Sequence, residues 1–158
     1  AELAAIFKDY GDEPFAGRIA RAIVATRALE AIQSTGQLVA IIRQAVPRWY
    51  RSSGRRRHFA TKVFQALRLV VNDEPGALKE GLVKGFSRLR SGGRLAVIAF
   101  HSGEARIIKD FFRGLLKNGR GRIITKRAIR PDYQEVKANR RARGATLRII
   151  QKNEPPSQ

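Results

Sequence analysis

A chain of 158 residues, 43% of them hydrophobic, has the size of one domain and enough apolar mass for a core, which excludes wholesale disorder. The absence of cysteine excludes disulfides, thiolate metal sites and thiol catalysis, and no stretch approaches the ~18 unbroken apolar residues of a membrane span. Against 13 acids stand 32 lysines and arginines, a formal net charge of +19 whose self-repulsion a polyanion relieves, nucleic acid being the commonest.

In chain order, residues 2–10 predict a short helix with Leu3, Ile6 and Phe7 on one side, stopped by Gly11. Asp12 and Glu13 before Pro14 suit a helix N-terminus. The helix that follows spaces Phe15, Ile19 and Ile23 four residues apart, with Arg18, Arg21 and Arg27 turned away. Ser34 and Gln37 have capping-box spacing ahead of Leu38, Ile41, Ile42 and Ala45, and Pro47 ends that run. These three helices make a compact first section.

Residues 47–57 turn basic: Arg48, Trp49, Tyr50, Arg51, then Ser52, Ser53, Gly54, Arg55, Arg56 and Arg57. As an exposed loop they offer phosphate contacts with aromatics for base stacking, while a solvated loop with Trp49 packed back onto the helices fits the same residues. A helix over about 59–71 follows, with Phe64, Leu67 and Val71 inward. Asn72, Asp73 and Glu74 before Pro75 then restart a helix with Leu78, Leu82, Phe86 and Leu89 on one stripe.

The pattern then switches. Gly92 and Gly93 end the helix, and the apolar run over 94–100 predicts a strand buried on both faces of a parallel sheet. His101 and Ser102 stand at its carboxyl end, where open α/β sheets gather their ligands. Helical period returns with Ile107, Ile108, Phe111, Phe112 and Leu115, and two further strands are predicted at 122–125 and 146–151 around a polar, arginine-rich stretch at 130–144. The resulting division is a helical section over 1–72 carrying the basic loop 47–57, a sheet section over 73–151, and a flexible tail over 152–158.

Several chemistries are excluded or demoted. No glycine-rich loop with Lys-Ser or Lys-Thr is present, so P-loop chemistry is out, and two histidines without cysteine make too few ligands for a structural zinc, so no metal is expected. Ser102 and His101 do not form a triad, because neighbours at a strand end point apart. Ser102 is also well placed to cap the following helix, and His101 to close a hydrogen bond, so a structural role competes with a chemical one.

Four groups of motifs are informative together. They are Asp9-Tyr10-Gly11-Asp12-Glu13 with Arg18-Ile19-Ala20-Arg21-Ala22-Ile23-Val24; His58, Ala60-Thr61-Lys62 and Phe64-Gln65-Ala66-Leu67-Arg68 running into Val71-Asn72-Asp73-Glu74; Gly92-Gly93-Arg94-Leu95 through Phe100-His101-Ser102; and Glu135-Val136, Asn139, Arg141-Ala142-Arg143 and Leu147-Arg148. In this order and spacing the chain resembles the RsmH/MraW type of ribosomal-RNA (cytosine-N4-)-methyltransferase. The resemblance implies an α/β fold: a helical insertion section followed by the last strands of a doubly wound, Rossmann-like methyltransferase sheet. It implies transfer of a methyl group from S-adenosyl-L-methionine (AdoMet) to the exocyclic N4 of a cytidine in small-subunit ribosomal RNA. The family's AdoMet-binding motifs belong to a first half outside these residues. No cofactor-binding residue is therefore assigned, and the chain by itself is expected neither to hold AdoMet well nor to methylate.

There are departures as well. Where the family has Leu-Glu-Asp-Arg after His-Ser, this chain has Gly103-Glu104-Ala105-Arg106; Arg140 and Gly144 replace a proline and a serine of the closing segment. An active enzyme's second half and an inactive RNA-binding structural or assembly component of a ribosome are thus both open, with an unrelated basic nucleic-acid-binding module as a third reading. His101 and Ser102 are the catalytic candidates, at the edge of the site. Arg55, Arg56, Arg57, Lys126, Arg127, Arg140, Arg141 and Arg143 are the RNA-contact candidates, while Gln65 and Arg68 match the family motif. The expected partners are ribosomal RNA or the small subunit, and a second chain or missing first half covering the sheet edge. The absence of methionine suggests a processed or partial product. No secretory signal opens the sequence, so a cytoplasmic or organellar place (mitochondrion or plastid) is expected.

Overall fold

Apolar residues at helical spacing set α1 (Glu2–Asp9), α2 (Ala16–Leu29), α3 (Thr35–Ala45), α4 (Arg48–Ser52) and α5 (Thr61–Val71) in the computed structural model, which describes residues 2–52 and 58–154. These helices belong to the first of two compact units, Ala1–Asn72; the second is Asp73–Gln158. The core of the first gathers Phe7 from α1, Ile19 and Ile23 from α2, Ile41 and Ile42 from α3, Tyr50 from α4, and Val63 and Ala66 from α5. The capping box at α3 is complete: Gln37 N–H donates to Ser34 Oγ at 3.2 Å, and Ser34 N–H donates to Gln37 Oε1 at 3.0 Å.

Three expectations for this unit change. Glu13 is not a first-turn acid of α2; it is 3% exposed, and its carboxylate accepts from Phe15 N at 3.0 Å and from the Tyr50 hydroxyl at 2.9 Å. Burying a carboxylate is tolerable only with such partners, and the Tyr50 bond ties α4 to the start of α2. The segment read as a basic loop accordingly begins as helix α4, pinned by buried Tyr50, while residues 53–57 lie outside the described residues. In α5 the buried line runs through Val63, Ala66 and Leu69; Phe64 and Leu67 pack partly against the core, but Val71 is 80% exposed at the helix end.

The second unit contains α6 (Glu74–Ser87), β1 (Arg94–Ala99), α7 (Ser102–Lys117), β2 (Gly121–Ile123), α8 (Tyr133–Ala138), a 3₁₀ turn (Arg140–Gly144) and β3 (Thr146–Lys152). Asp73 caps α6, accepting from Gly76 N at 3.2 Å. The sheet has the order β1-β3-β2, with β3 antiparallel to both neighbours. Leu95 stands opposite Ile150, Val97 opposite Arg148 and Ala99 opposite Thr146. This face carries Leu95, Val97, Ala99, Ile123 and Ile150 into a core with Leu82 and Phe86 of α6 and Ile108, Phe112 and Leu115 of α7.

The strand over 94–99 therefore pairs antiparallel here, not in a parallel neighbourhood, and it is not buried on both faces. Its burial alternates because helices cover only one side. On the other face Ala96 stands opposite Ile149 and Ile98 opposite Leu147, with Ile98 57% exposed. β1 is also an edge strand of the described sheet. The predicted strand at 122–125 is realised over Gly121–Ile123, and the arginine-rich stretch contains α8, which the polar composition hid. Lys152 Nζ donates to Ser87 O at 3.0 Å and Leu89 O at 2.6 Å, so the end of β3 supplies a cation to the carboxyl end of α6.

Two glycines test the packing in opposite directions. A Cβ on Gly11 would lie 2.7 Å from Phe7 O and 2.8 Å from Lys62 O, both backbone atoms of packed helices. Gly11→Ala is expected to destabilise the chain by about 1–3 kcal/mol, the usual cost of overpacking. Gly81, inside α6 with nothing within 4 Å of its would-be Cβ, predicts the reverse. Gly81→Ala is expected to stabilise by about 0.5–1 kcal/mol, with urea denaturation followed by circular dichroism reading both.

Candidate active-site edge and nucleic-acid surfaces

The carboxyl end of β1 is built by a closed set of bonds. His101, with extended backbone, is the N-cap of α7, and its Nδ1 accepts from Glu104 N at 3.3 Å. Glu104 returns the contact one residue further out, its Oε2 accepting from Phe100 N at 2.8 Å. The cap is thus His101 and not Ser102, which is the first residue of the helix. Because Nδ1 accepts, the ring proton of a neutral His101 sits on Nε2. That atom lies 3.2 Å from Glu104 Oε1 but is buried without a hydrogen-bond partner, so closeness there is not alignment. The angle, and not the distance, decides whether a proton is shared.

Gly103 is buried under this ring: a Cβ there would meet His101 Nδ1 at 3.3 Å. Glycine at this place lets the imidazole fold back over the first turn of α7. Ala105 packs partly against the core of the second unit.

The closing segment is brought to the same place. Thr146 Oγ1 donates to Ala99 O at 3.3 Å, and a Cβ on Gly144 would stand 3.0 Å from Phe100 O. The 3₁₀ turn therefore abuts the end of β1. Within it Ala142 is buried while Arg140, Arg141 and Arg143 are exposed, and Asn139 caps the turn by accepting from Arg141 N at 3.1 Å. One buried alanine and one side-chain cap thus hold three arginines on a defined turn next to His101, Ser102 and the 58%-exposed Phe100.

Lys126 and Arg127 lie elsewhere in the second unit, on the chain just after β2, and both are exposed. Gln65 and Arg68 stand on α5 in the first unit, half-buried and exposed respectively. Arg55, Arg56 and Arg57 lie outside the described residues. Beside them in sequence, Trp49 is 60% exposed, with its ring held edge-on by Phe15 at 5.8 Å and Tyr50 at 5.9 Å. Arg48 and Arg51 flank it in α4, and the Arg18 guanidinium sits 6.0 Å over Phe15. The sequence leaves Trp49 open between an exposed ring and one packed inward; here the ring is largely exposed.

The carboxylate nearest the end of β1, Glu104, is engaged by Phe100 N, and no glycine-rich loop leads a strand into a helix in this sequence. What the edge exposes at the carboxyl end of the strand is Ser102, Phe100 and three arginines, with the mostly buried His101 ring among them.

A family model described as the MraW methylase family matches residues 1–153. A ribosomal RNA small subunit methyltransferase H of Heliobacterium modesticaldum is 46% identical over 166 residues, covering 96% of this chain and 52% of the relative. Proteins of the same name from Syntrophotalea carbinolica and Dictyoglomus thermophilum are 44% and 41% identical, over 96% and 98% of this chain. The chain spans about half the length of the curated relatives it matches. With 41–46% identity running through nearly every element just described, and a family model that extends from α1 to the end of β3, the chain belongs to the MraW methylase family.

Proposed function

We propose that these residues are the RNA-facing, sheet-closing part of an AdoMet-dependent methyltransferase that acts on the N4 amino group of a cytidine in small-subunit ribosomal RNA. The observation that carries this reading is the arginine turn seated on the end of β1, beside His101 and Ser102. An exocyclic cytosine amine is a poor nucleophile, because its lone pair is conjugated into the ring. Its reaction depends on holding an unstacked base in one orientation. His101 and Ser102 border the place where that base is held; Arg140, Arg141 and Arg143 take the neighbouring phosphates. In the first unit, Arg55, Arg56 and Arg57 take phosphate while Trp49 offers a face to a base.

The cofactor-binding half comes from outside these 158 residues, in the same chain or another. The relatives' twofold greater length supports this, as do the free edge of β1 and the open apolar face with Ala96, Ile98, Leu147 and Ile149. An unpaired edge beside an uncovered apolar face is a surface that folded proteins cover. Among the described residues no helix is long and apolar enough to cross a membrane. A cytoplasmic or organellar ribosome is the setting in which this chemistry is used.

A second reading, an inactive RNA-binding or assembly component of the ribosome, is favoured by Gly103 and Ala105. Both stand where the family has other side chains at the site's edge, and at 103 the His101 ring packs directly over the glycine, where a Cβ would meet Nδ1 at 3.3 Å.

Sedimentation with small ribosomal subunits is expected to show association that weakens about a thousandfold between roughly 50 and 200 mM salt, as phosphate neutralisation requires. Association indifferent to salt overturns the RNA assignment. Calorimetry is expected to detect no AdoMet binding to the chain alone and clear binding once the missing half is restored. The role of His101 is separated by two variants in the complete enzyme. His101→Ala removes the cap and is expected to cost about 1 kcal/mol of stability. His101→Asn keeps a capping acceptor, so methyl transfer that stays at the wild-type rate in that variant leaves His101 a cap and nothing more.

A further inference from the structure

Beside α7, on the face of the sheet that this helix covers, the second unit has a cavity of ≈ 480 Å³. Its border carries six cations, Lys109 and Arg113 from α7, Lys126, Arg127 and Arg130 from the chain after β2, and Arg148 from β3, and no carboxylate lines it. Asp110, the acid nearest in sequence, reaches Arg113 only at 4.0 Å in a largely exposed pair. Such an array is self-repelling in the free protein, and an anion relieves it.

Two observations make this more than a basic surface. First, the segment that carries Lys126 and Arg127 is fastened to β3 at both ends. On one side Thr125 is buried, its Oγ1 accepting from Ile149 N at 2.9 Å; on the other, Ile129 and Leu147 exchange both backbone bonds, at 3.0 and 2.9 Å. Only residues 126–128 lie free between these anchors, so the two cations are presented by a short, fixed turn. Second, Arg148 rises from the central strand opposite Val97, and its Nε is buried with no hydrogen-bond partner. Proteins rarely leave a buried donor unanswered, and the guanidinium fork matches the oxygens of a phosphate.

We propose that this cavity is a phosphate-binding site, with Arg148 as its fixed donor at the base and Lys109, Lys126 and Arg127 closing over the anion. The phosphate comes from the backbone of a bound RNA strand or from a free oligophosphate; the RNA source rests on the function proposed above. The site is separate from the arginine turn at the end of β1 and uses none of its residues.

The test uses the 158-residue chain with pyrophosphate and with a single-stranded RNA oligonucleotide, each followed by calorimetry. Pyrophosphate is expected to bind and to compete with the RNA. Arg148→Gln, and separately the exposed pair Lys126→Ala/Arg127→Ala, should each weaken pyrophosphate at least about tenfold, because a charge-assisted contact is removed. Arg88→Ala/Arg90→Ala, which removes two charges from the same unit away from the cavity, is expected to leave pyrophosphate binding unchanged. The loop pair keeps the test valid where Arg148→Gln fails to fold. Pyrophosphate binding without RNA binding supports the site with a free phosphate as its source, and defeats only the RNA reading. RNA binding that both variants leave at wild-type strength, with pyrophosphate unbound or equally bound by all variants, overturns the site and leaves the RNA reading standing.

Discussion

Everything in the second unit depends on the antiparallel seating of β3 between β1 and β2. β1 and β2 do not touch each other, so each is a strand only because β3 supplies the other half of its hydrogen bonds. That strand also contributes buried Ile150 to the core, carries Arg148 to the basic cavity, and ends in the lysine that closes α6. Register is fixed by the same contact. A one-residue slip would turn Ile150 out and bring its neighbours in, which the one-sided helical cover forbids.

At the end of β1, structural and chemical demands fall on the same atoms. His101 must accept from Glu104 N to start α7, and Glu104 must accept from Phe100 N to hold the chain that leads into it. What the cap leaves over is Nε2, which is buried beside the Glu104 carboxylate. The arginine turn gains position in a comparable way, since buried Ala142 and the Asn139 cap do the anchoring and leave the guanidinium groups to the solvent side.

Much of this was legible in the residues. Ser34 and Gln37 gave the start of α3, Asp73 ahead of Pro75 gave that of α6, and the run over 94–99 was a strand as its apolar character required. The direction of its pairing was not legible, because an apolar run carries no sign of which neighbour it will meet or how many faces will be covered. The place of Glu13 before a proline marks it as a helix-start acid, whereas its environment is decided by Tyr50, 37 residues away. In the sequence Arg148 stands only as part of the closing motif with Leu147; the segment fastened to β3 at Thr125 and Ile129 gives its charge a surrounding. The motif at 100–102 marks the start of α7, but its sequence does not say which of two adjacent side chains is the cap, a distinction that rests on the backbone.

The placement of β3 has a consequence for timing. It is the last element of the described chain, yet it bonds to residues as far back as Ser87, 65 positions earlier, and its Thr146 reaches Ala99 across 47. A ribosome adding about 5–20 residues per second delivers β1 some 2–9 s before its partner strand. During that interval β1 lacks its antiparallel partner, and the core lacks buried Ile150. The nascent protein thus passes through a brief window in which chaperone capture competes with self-association, and it closes only with the arrival of a single late strand.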